Sequence, residues 1–185
     1  MTGIKSKPEF CLIRWSHLIG VLLLSSLPAL ANSQFLDPVN TPAQMRTAIT
    51  QRPMMAVVQA GKRLVAVGSR GVIAESDDLG KTWVQAKVPV QSDLLAVHFP
   101  TVGDGWAVGH DGVVLHSADG GQTWIKQLDG RIADETFKAF YSAMGTAGEA
   151  ALAQLRRNYQ AGPALPFLDV WFETSQIGYA VGSFG

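Results

Sequence analysis

The chain has 185 residues, and its 15 basic and 15 acidic side chains give a formal net charge of zero. This balance excludes the basic excess that nucleic-acid binding requires, so no nucleic-acid partner is expected. The 19 glycines and 5 tryptophans, with only 16% charged residues, are typical of short strands joined by tight turns. The composition therefore predicts an all-β protein.

Residues 1–31 have the pattern of a secretory signal peptide. Three basic residues precede an apolar run from Leu18 to Leu30, and Ala29-Leu30-Ala31 fits a small-x-small cleavage site. The run is shorter than the roughly 20 residues that a spanning helix needs, and a retained anchor is the alternative. We expect export to the periplasm, or to the equivalent lumen in a photosynthetic host, with no stable membrane insertion after cleavage.

A polar lead, residues 32–53, comes next. Its Thr41-Pro42-Ala43-Gln44 segment fits a capping box with proline at the first helical position, which predicts a short helix from Pro42 to Ile49. An extended arm fits the same residues equally well.

The most informative feature is a phrase of the form S-x-D-x-G-x-T-W that occurs twice. Trp124 follows Trp83 by 41 residues, a spacing within the roughly 40–45 residues of one four-stranded propeller blade. The specified positions are Ser76, Asp78, Gly80, Thr82 and Trp83 in the first copy, and Ser117, Asp119, Gly121, Thr123 and Trp124 in the second. Each Asp and Gly falls between two strands, where the carboxylate can accept bonds from backbone N–H groups and the glycine can adopt positive φ. We interpret the phrase as a structural staple, with its tryptophan covering the blade from outside.

Alternating apolar residues around the two copies predict β-propeller blades. Four strands are expected in blade one (residues 54–90), four in blade two (residues 94–128), and a partial blade three from residue 167 to residue 185. Closed propellers typically have four to eight blades, so we expect about two and a half blades of a longer protein. A short chain that closes by oligomerising is the alternative.

Residues 129–166 do not fit the repeat and predict a helical insertion between blades two and three. Phe137, Phe140, Tyr141 and Met144 share one helical face, and Asp134 is the predicted N-cap. A second helix is predicted from Glu149 to Gln160.

The repeated phrase is that of the BNR or Asp-box repeat, which identifies a fold and not an activity. The wider pattern, with Val65-Ala66-Val67-Gly68 before the first box and Trp106-Ala107-Val108-Gly109 before the second, resembles the photosystem II stability and assembly factor family. The resemblance covers about residues 54–124 and resumes at Phe167. It implies a seven-bladed, exported and non-enzymatic assembly factor whose partner is a protein, for example a subunit of a membrane complex.

The blade topology also predicts which face binds a partner. The turns between second and third strands, Gly68 to Gly71, Gly109 to Gly112 and Gly182 to Gly185, share a face with the helical insertion, and the Asp boxes occupy the opposite face. These turns carry different side chains at equivalent positions, which favours recognition over packing. The candidate partner-binding residues are therefore Arg70, His110 and Asp111.

No catalytic residue, metal site or cofactor is expected. His98, His110 and His116, even with Asp111, match no closed zinc motif. The alternative function is an Asp-box glycosidase of the sialidase kind, which needs clustered arginines, a tyrosine nucleophile and an acid/base carboxylate. Arg70, Tyr141 and Tyr179 make no convincing set, and further blades would have to supply the rest.

Overall fold

The structure is a computed structural model that describes residues 35–183. The predicted signal peptide and the last two residues of the chain lie outside that range. The described part forms two four-stranded antiparallel sheets, a two-stranded sheet and a pair of helices. This arrangement confirms the predicted propeller blades and the helical insertion between the second and third of them.

The two complete blades are built in the same register. Blade one contains β1 (Met54–Ala60), β2 (Arg63–Gly68), β3 (Ile73–Ser76) and β4 (Val84–Gln85). Blade two contains β5 (Leu94–His98), β6 (Gly105–Gly109), β7 (Val114–Ser117) and β8 (Ile125–Leu128). Val67 pairs with Ile73 in blade one, and Val108 pairs with Val114 in blade two. The sequence repeat is therefore a repeat of strand pairing.

The main core lies between blades one and two. Val65, Val67, Leu94 and Leu115 are fully buried there, as expected when apolar faces of neighbouring sheets meet. Trp124 belongs to this core. It is 4% exposed and contacts the ring of Phe99 edge to face, with 5.9 Å between ring centroids. The interpretation of Trp124 as an outer cover is therefore wrong, because its ring fills the gap between blades.

The third blade, β9 (Phe167–Phe172) and β10 (Gly178–Gly182), packs against blade two. The Phe172 ring stacks on the Trp106 indole with 3.8 Å between centroids. The backbone N–H of Phe172 donates to Nδ1 of His98 at 3.1 Å. His98 is thus an acceptor that joins blades two and three. Burial lowers the pKa of His98, and the negative charge of Asp169 offsets only part of that decrease.

One hydrogen bond recurs at the same place in all three blades. The first residue after the second strand donates its backbone N–H to the carbonyl that precedes the first strand: Ser69 to Pro53, His110 to Asp93 and Ser183 to Pro166. The glycine just before each donor lies so close to that carbonyl oxygen that a Cβ would overlap it. The recurrent glycines Gly68, Gly109 and Gly182 are therefore required by close backbone approach.

The lead is an extended arm and not a helix. Short 3-10 turns occupy Pro38–Asn40 and Ile49–Gln51, and residues 42–48 between them have no helical structure. Ala43 donates its N–H to the carbonyl of Val88. The side-chain amide of Gln85 accepts from the backbone N–H of Arg46 and donates to the carbonyl of Gln44. Pairing with blade one replaces the internal bonds that a helix would have made.

The insertion consists of α1 (Gly130–Ala143) and α2 (Glu149–Asn158). The N-cap of α1 is Asp129, whose carboxylate accepts from the backbone N–H groups of Arg131 and Ile132. The prediction of Asp134 as N-cap is wrong, because the helix begins one turn earlier and Asp134 pairs instead with Lys138. None of the helices within residues 35–183 has the length and apolar character needed to cross a membrane.

Candidate protein-binding face

The turns that carry the candidate residues have the same backbone conformation in both blades. Ser69–Gly71 and His110–Gly112 are 3-10 turns, in which Arg70 and Asp111 occupy the left-handed region at φ 57° and 59°. Arg70 and His110 are exposed, whereas Asp111 is half-buried. We call the surface formed by these turns, Gly182, Ser183 and the helical insertion the insertion face.

Asp93, in the connection between blades one and two, holds both turns. Its carboxylate accepts from the backbone N–H of Arg70 at 2.7 Å, and its backbone carbonyl accepts from the N–H of His110 at 2.9 Å. The adjacent Ser92 is buried and donates its hydroxyl to the carboxylate of Asp111 at 2.6 Å. The turns of two blades are thus fixed relative to each other through one short connection.

A small basic depression lies beside the blade-one turn. Its lining includes Arg46 and Arg52 from the lead and Arg70 from the turn, with Gln44 and Gln91 between them. No carboxylate is among the described residues that line it. Three guanidinium groups around one depression favour a carboxylate-bearing ligand, since a guanidinium donates two parallel bonds to a carboxylate.

The base of the insertion is clamped to the lead by charged residues. Lys126 donates to the carbonyl of Val39 at 2.8 Å and to the carboxylate of Asp129 at 2.8 Å. Arg131 pairs with Asp37 at 2.8 Å. The Arg131 hydrogen bond holds the pKa of Asp37 below its ordinary range, although burial acts in the opposite direction. These contacts fix the insertion at the edge of blade two.

A groove of about 280 Å³ separates the two helices from blade three. Its aromatic lining comes from Phe137, Tyr141, Tyr159 and Phe167, and Ser183 also lines it. Burial raises the pKa of Tyr159, and the nearby charge of Asp134 adds to the increase. The Tyr159 hydroxyl therefore remains protonated at neutral pH and can donate a hydrogen bond.

The Asp boxes lie at the opposite ends of the same blades, where the third strand turns into the fourth. The Asp78 carboxylate accepts from the Ser76 hydroxyl, the Thr82 backbone N–H and the Thr82 hydroxyl, at 2.8, 2.8 and 2.6 Å. The bonds from the Thr82 side chain and backbone lower the pKa of Asp78 from its ordinary 3.8 to about 2. The indole N–H of Trp83 donates to the carbonyl of Gly80 at 3.0 Å, so the side chain is held by its own turn.

The second box repeats this geometry. Asp119 accepts from Ser117 and from both donors of Thr123 at 2.8, 2.9 and 2.6 Å. Burial opposes ionisation of Asp119, but the hydrogen bonds from Thr123 and Ser117 outweigh it and lower the pKa. The Trp124 indole donates to Gly121 at 2.7 Å. Both carboxylates are thus occupied by their own turns.

The other histidines are held by separate neighbours. The His116 ring packs against the Trp106 indole at a tilt of 34°, with 4.5 Å between centroids, and its Nε2 lies 3.4 Å from the carboxylate of Asp104. His110 is at a turn tip and His98 joins blades two and three. Within residues 35–183 no group of three or more His, Cys, Asp or Glu side chains is arranged to hold a metal ion.

Comparison with known proteins gives one family. A family model described as "Photosynthesis system II assembly factor YCF48" matches residues 46–147, from the lead through both complete blades and α1 into the 3-10 turn that follows α1. The chain belongs to this family. The comparison therefore confirms the resemblance carried by the Asp boxes and by the phrases around Gly68 and Gly109.

A solved structure described as "YCF48 bound to D1 peptide" is similar to this family member over 76% of the chain, with 20% identity and a TM-score of 0.47. The chain spans 36% of the length of that structure. No curated protein matches its sequence.

Sequence reasoning located the turns of this family member but missed the residues that support them. Asp93 and Ser92 fix the conformations of Arg70 and Asp111, and Arg46 and Arg52 extend the basic surface around Arg70. A usable signal for Asp93 was its place just before a first strand, where a short acceptor side chain reaches a neighbouring turn. Nothing in the spacing of the lead indicates that Arg46 and Arg52 converge on Arg70.

Proposed function

We propose that this chain is part of an exported, non-enzymatic propeller that binds a protein partner on its insertion face and acts as an assembly scaffold. The observation that carries the proposal is the family match over residues 46–147, which includes both blades whose turns form that face. Arg70 and His110 are the proposed contact residues. Asp111 is proposed to act by keeping its turn in place through Ser92.

The basic depression suggests the chemistry of the partner. Arg46, Arg52 and Arg70 present positive charge, and an acidic or carboxylate-terminated peptide segment would complement it. The family relative described above is bound to D1 peptide, and a comparable segment of a membrane-complex subunit is the proposed partner here. The groove lined by Phe137 and Tyr141 would accept apolar side chains of the same segment.

The Asp boxes favour this function over glycoside hydrolysis. A general acid needs a raised pKa so that it carries a proton near neutral pH. The pKa values of Asp78 and Asp119 are instead lowered, and each carboxylate is occupied by Ser and Thr of its own box. The most recognisable acids of the chain are therefore suited to holding turns.

The test is titration of the full-length protein with fluorescent D1 peptide. We expect Arg70→Glu to weaken binding about tenfold or more, because a charge-assisted bond is replaced by repulsion. Lys81→Glu, an exposed change on an Asp-box turn of the opposite face, is the matched control and should bind as the parent does. If the Arg46→Glu, Arg52→Glu and Arg70→Glu variants all bound the peptide as tightly as the parent does, the proposed site would be contradicted.

Two further measurements address the remaining parts of the proposal. Turnover of fluorogenic glycosides by the full-length protein would contradict a non-enzymatic role. Fractionation of cells that produce the full-length protein should recover it from the periplasm or lumen, and recovery from the cytoplasm alone would contradict export.

A further inference from the structure

The far end of the helical insertion is almost without charge. Residues 139–155, which include the end of α1, the intervening 3-10 turn and most of α2, contain Glu149 as their only charged side chain. We call this segment the hairpin tip. Surface helices normally place charged residues on the face that meets water, so an uncharged exposed tip needs another explanation.

Large apolar side chains project from the hairpin tip. Phe140 is 60% exposed and Met144 is 46% exposed, and Phe140 has its ring contact with its own neighbour Tyr141. Ala139, Ala143 and Ala147 around them are exposed too. Ala133, a buried residue of α1, lies on the same helical face but at the base of the helix, so this face is covered near the blades and exposed at the tip. Phe140 and Met144 are therefore available to an external apolar phase.

Basic residues stand directly behind this apolar segment on both helices. Lys138 precedes the tip on α1, and Arg156 and Arg157 follow it on α2. At 1.5 Å per residue, Lys138 lies about 9 Å from Met144 along the axis, and Arg156 lies about 10 Å from the start of α2. Apolar faces of interfacial helices enter a bilayer by about 5–10 Å, which would bring Arg156, Arg157 and the ion pair of Lys138 with Asp134 to the level of the lipid phosphates.

We propose that the hairpin tip inserts into the interfacial region of a membrane that contains anionic lipids. Phe140 and Met144 enter the acyl boundary, while Arg156 and Arg157 meet the headgroup phosphates. Charge complementarity favours a lipid surface as the occupant, since the tip carries Glu149 as its one charged side chain and the exposed Arg156 and Arg157 lie behind it. The inference goes beyond the proposed protein binding, because the basic depression around Arg70 belongs to blade one and not to the tip.

The test is flotation of the full-length protein with two kinds of vesicle, one of equal parts phosphatidylglycerol and phosphatidylcholine and one of phosphatidylcholine alone. We expect stronger binding to the anionic vesicles. The double variant Phe140→Ser and Met144→Ser should bind about a hundredfold more weakly, since burial of each large apolar side chain contributes roughly tenfold. Ile125→Ser on β8, which is 61% exposed, removes a comparable apolar side chain elsewhere and should leave binding unchanged.

A second double variant tests the contribution of Arg156 and Arg157. Arg156→Gln with Arg157→Gln should weaken binding to anionic vesicles by about tenfold or more and leave the weaker binding to neutral vesicles unaltered. Melting temperatures of all variants should equal that of the parent, because the replaced side chains are exposed. No binding of the parent to anionic vesicles would overturn the proposal.

Two alternative occupants are distinguished by the same variants. Loss of D1 peptide binding in the Phe140 and Met144 variant, with vesicle binding intact, would make the tip a protein contact and overturn the proposal. A parent dimer that becomes monomeric in that variant, again with vesicle binding intact, would assign the tip to a second copy of the chain. Failure of the Arg70 variants to affect peptide binding would contradict only the protein-binding site.

Discussion

The carboxylate of Asp93 accepts a hydrogen bond from the backbone N–H of Arg70 at 2.7 Å. The two residues belong to different parts of the propeller: Arg70 is in a turn of blade one, and Asp93 immediately precedes the first strand of blade two. Because Arg70 has a φ of 57°, an unfavourable region for a long side chain, the bond supports a conformation that the residue would not choose alone. The position of a candidate contact residue is thus set by the neighbouring blade.

We predict that Asp93→Ala releases the Arg70 turn. Loss of this bond should lower the free energy of unfolding by about 1–2 kcal/mol, since the acceptor is charged and the replacement offers none. Urea denaturation measures the change, and hydrogen exchange of the Arg70 amide should accelerate. Asp93→Asn keeps an acceptor oxygen and is the control. Equal destabilisation by both variants would show that the charge and not the bond matters.

The Asp boxes predict a loss of stability in acid. The pKa of Asp78 is about 2 in the folded protein and 3.8 ordinarily, so the folded state binds fewer protons than the unfolded state between these values. Stabilisation by Asp78 is therefore fully present above about pH 4 and declines as the pH falls towards 2. Asp119, whose pKa is also lowered, acts in the same direction. Between pH 6 and about pH 2, the melting temperature of the Asp78→Asn and Asp119→Asn double variant should fall less than that of the parent. A parent and a double variant with parallel pH profiles would contradict the assignment.

The sequence repeat was sufficient to predict the blades because each strand's neighbours lie close in the chain. Val67 pairs with Ile73 across one short turn, so apolar alternation and turn residues determine the pairing. The lead was ambiguous because its structure depends on Val88 and Gln85, about 40 residues away. The capping box at Thr41 is a local preference, and long-range pairing with blade one outweighs it.

The candidate site shows the same limit. The turns containing Arg70 and Asp111 were predictable as equivalent, since the glycines around them recur at one offset. Their shared support by Ser92 and Asp93 was not, because it depends on the contact between blades. The apolar spacing that includes Phe140 predicted a helix with these residues on one face, and the structure shows that this side chain is exposed. Periodicity shows that a helix forms and does not show what covers each side.

We predict that the glycine before each second-to-third turn cannot be replaced. In Gly109→Ala the new Cβ would overlap the carbonyl oxygen of Asp93, and the strand would have to move away from that connection. The cost should be about 2–3 kcal/mol, typical of overpacking at a site that cannot relax. Gly103→Ala is the matched control, because its nearest neighbour would be the Ala118 carbonyl at an ordinary 3.7 Å. Thermal unfolding should separate the two variants, and similar melting temperatures would contradict the close-approach explanation.

The clamp at the base of the insertion predicts a coupled loosening of the lead and α1. In Lys126→Met the Asp129 carboxylate, which belongs to a residue only 3% exposed, loses its strongest partner, and the Val39 carbonyl loses a donor. We expect a loss of about 2 kcal/mol in the free energy of unfolding, because a buried charged group is left with fewer bonds. Hydrogen exchange should accelerate at Ile132 and Ala133 in the first turn of α1, while the amides of β2 keep their protection. Lys81→Met, an exposed change on an Asp-box turn, should alter stability by less than about 0.5 kcal/mol. Accelerated exchange throughout blade one in the Lys126 variant would mean that the clamp supports the whole propeller and not the insertion alone.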